Sequence, residues 1–157
     1  MSSIAVGKKV PDFEMPSTEG EPFKLSKHKG EVLVLYFYPK DATPGCTLEG
    51  HEFTKLKSQF SKLNARVYGV SRDTLKSHEK FKEKQCYSID LLSDEDETVC
   101  NLFGVLKEKN MYGKKVIGIE RSTFLIGEDG KLLKEWRKVK AEGHAKEVLD
   151  EAKRIIG

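Results

Sequence analysis

The run Val32-Leu-Val-Leu-Tyr-Phe-Tyr38 is apolar or aromatic at every position, and Pro39-Lys-Asp-Ala-Thr-Pro-Gly-Cys46 follows it at once. A strand with one wet face alternates in polarity. A strand that is apolar on both faces is covered on both, so this run is expected at the centre of a layered sheet. Pro39, Pro44 and Gly45 stop the strand. From Thr47 the pattern turns helical, with Phe53, Leu56, Phe60 and Leu63 spaced i, i+3, i+7 and i+10. Cys46 therefore enters the first turn of a helix, where free N–H groups and the positive dipole end favour a thiolate. Thr43 adds a hydroxyl that both donates and accepts hydrogen bonds. The alternative, an inert buried thiol, fits the polar stretch Lys40–Gly45 poorly. The loop suits chemistry on a small polar oxidant.

The remaining chain alternates strand and helix signals. Pro11, Pro16, Gly20 and Pro22 mark short extended segments and turns before Val32. Arg66–Ser71 reads as a strand, and Asp73 or Thr74 caps a helix that carries Leu75, His78 and Phe81 and ends near Gln85. Ile89–Leu92 is a further strand. Ser93-Asp-Glu-Asp-Glu97 is expected to open a helix with acids in its first turn, closed by Gly104. Lys107–Lys115 reads as a solvated loop. Val116–Ile126 and Leu132–Lys138 are expected as two strands joined by a turn at Gly127-Glu-Asp-Gly130. Ala145, Val148, Leu149, Ala152, Ile155 and Ile156 form the apolar stripe of a last helix. This order predicts an α/β architecture with a mixed central sheet flanked by helices and a short N-terminal β extension, all in one domain over residues 1–157.

The 157 residues carry 28 basic and 25 acidic side chains, mixed along the chain, for a net charge of +3. Only five basic residues are arginine (Arg66, Arg72, Arg121, Arg137 and Arg154), so the surface lacks a nucleic-acid footprint. No segment is apolar enough to span a membrane, and Met1-Ser-Ser-Ile-Ala has no leader character, so a soluble cytoplasmic protein is expected. Three cysteines without a Cys-x-x-Cys pair argue against a disulfide-stapled scaffold and against a dithiol oxidoreductase.

Arg121 lies in the apolar segment Ile117–Ile126, where alternation sets it on a face with Ile117, Ile119, Thr123 and Leu125. A guanidinium there needs a partner, because unpaired buried charge is costly. Glu49, one turn after Cys46, is either a site acid or an ordinary first-turn acid that complements the dipole. His51 shares the helix of Cys46 and reads as solvent-facing. His28, His78 and His144 are scattered, with no metal-ligand spacing to Cys or acid, so no metal site is expected.

Pro39, Thr43 and Cys46 in Pro-x-x-x-Thr-x-x-Cys spacing resemble the active-site loop of the peroxiredoxins. The longer string Phe37-Tyr-Pro-Lys-Asp-Ala-Thr-Pro-Gly-Cys-Thr47 is similar to the bacterioferritin-comigratory, or Q-type, group. Gly7-Lys-Lys-Val-Pro-Asp-Phe13, Leu92-Ser-Asp94 and Glu120-Arg-Ser-Thr-Phe-Leu-Ile126 extend the resemblance over nearly the whole chain. It implies a thioredoxin-like fold, no cofactor, and a thiol-dependent peroxidase for hydrogen peroxide and small organic hydroperoxides in antioxidant defence. It further implies that Cys46 becomes a sulfenic acid, that Thr43 and the Cys46 N–H hold the peroxide, and that Arg121 supports the thiolate and the leaving oxygen. Pro39 would shield and shape the site. Thioredoxin, glutaredoxin or a small thiol would serve as reductant, and the protein would be a monomer.

The chain departs from its group at the second thiol. The two positions where relatives carry a resolving cysteine hold His51 and, by ungapped alignment, Lys82. Cys86, at a helix end, and Cys100, in a core stripe, are the remaining candidates for that task, and the third option is an external thiol. A peroxide-sensing relay protein without high turnover is the competing reading.

Overall fold

The structure, a computed structural model, describes residues 4–157. The apolar run is the middle strand of a five-stranded sheet, buried at every position from Val32 to Phe37. In chain order the elements are β1 (Glu14–Met15), β2 (Phe23–Lys24), β3 (Val32–Phe37), α1 (Pro44–Ser61), β4 (Ala65–Ser71), α2 (Leu75–Gln85) and β5 (Asp90–Ser93). They continue with α3 (Thr98–Phe103), β6 (Leu106–Met111), β7 (Lys114–Ile119), β8 (Ser122–Ile126), β9 (Leu132–Trp136) and α4 (His144–Ile156). The central sheet runs β5-β4-β3-β8-β9. β3 pairs parallel with β4 and antiparallel with β8, so the sheet is mixed as expected. β1 and β2 form the small N-terminal ribbon.

Each face of β3 seeds its own core. Val32, Val34 and Tyr36 pack with Phe53 and Phe60 of α1, Val148 and Leu149 of α4 and Phe81 of α2. Tyr36 stacks on Phe53 with ring centroids 4.6 Å apart. Leu33, Leu35 and Phe37 meet Phe13, Phe23, Val99, Cys100 and Phe103 on the other face. Two layers of large rings on opposite faces explain why β3 has no polar side.

Several expectations need correction. The acids Asp94–Glu97 precede α3 instead of filling its first turn, and the helix starts only at Thr98. Asp94 accepts from the N–H groups of Val99 and Cys100 at 3.1 and 2.6 Å and so ties down donors that a helix start leaves free. Lys107–Lys115 is a β-hairpin made by β6 and β7, not a loop, although it remains at the surface. The strand expected over Val116–Ile126 is broken at Glu120–Arg121, and its halves belong to different sheets. The break resets the alternation: Ile117 is exposed and Ile119 joins the core with Phe124, while Arg121 keeps Thr123 and Leu125 on the α1 and α4 side. β9 ends at Trp136, and Leu63 lies just past α1.

Tyr87 closes the gap between α2 and α1. Its hydroxyl donates to the Thr47 carbonyl at 2.9 Å, and its ring lies so close to Gly50 that a Cβ there would stand 2.3 Å from it. Alanine normally stabilises a helix over glycine by roughly 1 kcal/mol. Gly50→Ala should instead destabilise by about 1–3 kcal/mol, because the methyl group overpacks the Tyr87 seat. The urea midpoint measures this, and an unchanged or raised midpoint would mean that the ring moves aside freely.

Candidate active site

The loop between β3 and α1 is built to present Cys46. Thr43 sits at the N-cap with extended backbone and Pro44 fills the first helical position, where no N–H is needed. The Thr43 hydroxyl makes no cap bond. It donates to the Lys40 carbonyl at 2.8 Å, which leaves its lone pairs to accept. The helical ladder begins with the Thr47 N–H on the Thr43 carbonyl, so the N–H groups of Gly45 and Cys46 precede it. Cys46 is 2% exposed.

Arg121 reaches this sulfur from the break between β7 and β8. Its Nη2 lies 3.4 Å from Cys46 Sγ and its Nη1 donates to Glu49 Oε1 at 2.6 Å. A Cβ on Gly45 would stand 3.1 Å from Nη2, so the glycine clears the approach of the guanidinium. The segment after β9 walls the site: the Val139 N–H donates to the Arg121 carbonyl at 3.0 Å and the Gly143 N–H to Glu52 at 2.9 Å.

Glu49 is fully buried, and its second oxygen, Oε2, has no protein partner. Burial pushes its carboxyl up to about 7, against the pull of Arg121 and with a further push from Glu52. Burial also works against the Arg121 charge, but Glu49 and Cys46 outweigh it, and the guanidinium is held above its ordinary value. The two partners move differently because Glu49 is sealed while Arg121 keeps a side-chain exposure of 15%. Desolvation dominates on the carboxylate side.

The other sequence candidates scatter. Pro39 is half-buried at the end of β3. His51 is exposed and meets Gln85 at 2.9 Å. Cys86 is exposed in the left-handed C-cap of α2, at φ 56°. Cys100 belongs to the core on the opposite face of the sheet from Cys46. Burial, then Asp94, pushes its thiol well up, which suits a packing role.

Asp41, Asp73 and His78 carry no sequence signal that brings them together. His78, which has no acid at metal-ligand spacing along the chain, meets one across the fold: its Nδ1 lies 2.8 Å from Asp41 Oδ2. The local signal was a histidine within the apolar stripe Leu75, His78, Phe81. Ligand atoms of the three lie within 4.8 Å of one another. They are taken up by Tyr38, Ser71, Ser77, backbone groups and each other, so the cluster reads as a hydrogen-bonded network and not as a metal centre.

The family model described as AhpC/TSA family matches residues 6–134. The chain belongs to the AhpC/TSA family. Peroxiredoxin Bcp of Xanthomonas campestris pv. campestris is 52% identical over 138 residues, 88% of this chain and 86% of that protein. PrxQ of Xylella fastidiosa superposes with a TM-score of 0.93 over 100% of both chains at 45% identity. The bacterioferritin comigratory protein of Xanthomonas campestris, studied for its alkyl peroxide reduction activity, gives a TM-score of 0.88 at 49% identity over 92% of each chain. The chain is thus a peroxiredoxin of the Bcp/PrxQ kind, with a thioredoxin-like fold and thiol peroxidase activity that takes a peroxide substrate and a thiol reductant.

The buried carboxyl of this peroxiredoxin gives its stability a pH signature. Glu49 holds its proton more tightly folded, near 7, than at its ordinary 4.5. Its contribution is therefore complete below about pH 4.5 and is lost as pH rises through about 7. Glu49→Gln removes this loss, so the variant should gain roughly 1–3 kcal/mol on the wild type between about pH 5 and pH 8. Paired melts across that range check it, and a gap that stays constant or narrows with pH would contradict the assignment.

Proposed function

We propose that Cys46 is the peroxide-reacting thiol and that Thr43, Pro39 and Arg121 serve it. The observation that carries this reading is the 3.4 Å contact between Arg121 and the Cys46 sulfur at the start of α1. A hydroperoxide enters beside the sulfur, accepts from the Cys46 N–H and donates its O–H to the Thr43 hydroxyl oxygen. The thiolate attacks the terminal oxygen: the S–O bond forms as the O–O bond breaks. Cys46 leaves as a sulfenic acid that keeps the peroxide's own hydrogen. The departing hydroxide or alkoxide takes up a proton, and the Arg121 guanidinium stabilises its developing charge. Hydrogen peroxide and small organic hydroperoxides fit a thiol this enclosed.

The sulfenic acid then condenses with an external thiol, releasing water, and a second thiol reduces the mixed disulfide. Thioredoxin, glutaredoxin and small thiols all have the required chemistry. External reduction is favoured because Cys100 lies across the sheet, while Cys86 is held in the C-cap of α2 next to Tyr87, whose hydroxyl is tied to the Thr47 carbonyl. We take the working form to be a monomer in the cytoplasm. Among the described residues no helix is long and apolar enough to cross a membrane.

Intact mass after one equivalent of hydrogen peroxide, with and without a sulfenic-acid trap, tests this reading. Trapped sulfenate on Cys46 without a disulfide is expected. A Cys46–Cys86 disulfide would replace external resolution with a two-thiol cycle, and an unreacted Cys46 would remove its assigned role.

A further inference from the structure

We infer that Asp41, His78 and Asp73 form a clamp that orients Thr43 for the peroxide, which makes them positioning residues of the peroxidase. The inference rests on the reading of Thr43 as the group that receives the peroxide O–H.

The clamp begins at one peptide plane. The Asp41 N–H donates to Asp73 Oδ2 at 2.9 Å. In a trans peptide the preceding carbonyl points the opposite way, and here that carbonyl belongs to Lys40. It accepts the Thr43 hydroxyl at 2.8 Å. Fixing the Asp41 N–H therefore fixes where Thr43 spends its proton, and so where its lone pairs face. Between them Ala42 holds φ at +64°, a conformation that a residue with a side chain keeps only where its surroundings impose it.

The Asp41 side chain supplies the second hold. It is nearly buried and accepts from the Tyr38 hydroxyl at 2.6 Å, the Ser77 hydroxyl at 2.8 Å and His78 Nδ1 at 2.8 Å. Burial first, then Tyr36 and Asp41, drives the Tyr38 hydroxyl far up, so it stays a donor. His78 is fully buried, and its Nε2 meets the Leu92 carbonyl at 2.9 Å. The ring is thus held at both nitrogens, between the Asp41 carboxyl group and the Leu92 carbonyl. Asp73 is anchored in turn by the Ser71 hydroxyl, and its carbonyl accepts the Ser93 hydroxyl at 2.6 Å. The loop is thereby bolted to the ends of β3, β4 and β5 and to the first turn of α2. None of these groups touches Cys46 or Arg121, so the clamp acts through Thr43.

The test compares two reactions of Cys46 in the full-length reduced protein. Hydrogen peroxide uses Thr43, whereas iodoacetamide needs only an accessible thiolate. Asp41→Asn and His78→Asn should each slow the peroxide reaction roughly 10–100-fold and leave alkylation within about threefold of wild type. The double variant should be no slower than the worse single one, as befits groups acting as a unit. Wild-type peroxide rates in folded variants, parallel loss of alkylation, or multiplying defects would each overturn the clamp. Should either variant fail to fold, Tyr38→Phe removes one neutral hydroxyl; it should slow peroxide reduction about threefold or more with alkylation unchanged, and an unchanged peroxide rate overturns the inference. An unreactive wild-type Cys46 would instead sink the peroxidase reading itself.

Discussion

The Arg121 guanidinium, 2.6 Å from Glu49 and 3.4 Å from the Cys46 sulfur, is the contact on which the rest of the site depends. It joins two elements far apart in sequence, the start of β8 and the first turns of α1. Glu49 is sealed from water and has one partnered oxygen, so losing the guanidinium would strand a buried acid. Breaking a buried pair of this kind costs about 3–5 kcal/mol. Burial raises the carboxyl toward neutrality and tempers this cost, and it leaves more of the Arg121 charge to face the sulfur.

The sheet supplies the geometry that this contact needs. β3 runs parallel to β4 and β4 to β5, so their carboxyl ends gather at one edge, where loops carry chemistry in α/β folds. The Cys46 loop leaves from the end of β3, and Arg121 enters β8 opposite it because β8 runs antiparallel. Small residues then permit close approach: Gly45 admits the guanidinium and Gly50 admits Tyr87. The site is thus set by rigid elements, with the loop held by bonds to α2 and β4.

Much of this was legible in the sequence, for physical reasons. The two-faced apolar run could only be a central strand, and the helical spacing from Thr47 after a Pro-punctuated loop put Cys46 at a helix start. Arg121 stood out as a charge in an apolar strand. What failed was local. The acids at Asp94–Glu97 looked like a helix start because Asp94 does satisfy helix N–H groups, but from outside the helix. The break at Glu120–Arg121 is invisible to alternation, since the apolar residues run on through it while Ile119 joins one core and Leu125, an even number of residues later, joins the other. The Asp41–His78 pairing joins residues 37 apart, and no local pattern reports such a distance.

The most direct measurement is the second-order rate constant of Arg121→Lys with hydrogen peroxide. Lysine keeps the positive charge but lacks the fork that spans Glu49 and the sulfur together. If one planar group must hold both, the rate falls about 100-fold or more. A rate within about threefold of wild type would mean that charge alone suffices, and the account of Arg121 as the keystone of the site would be wrong.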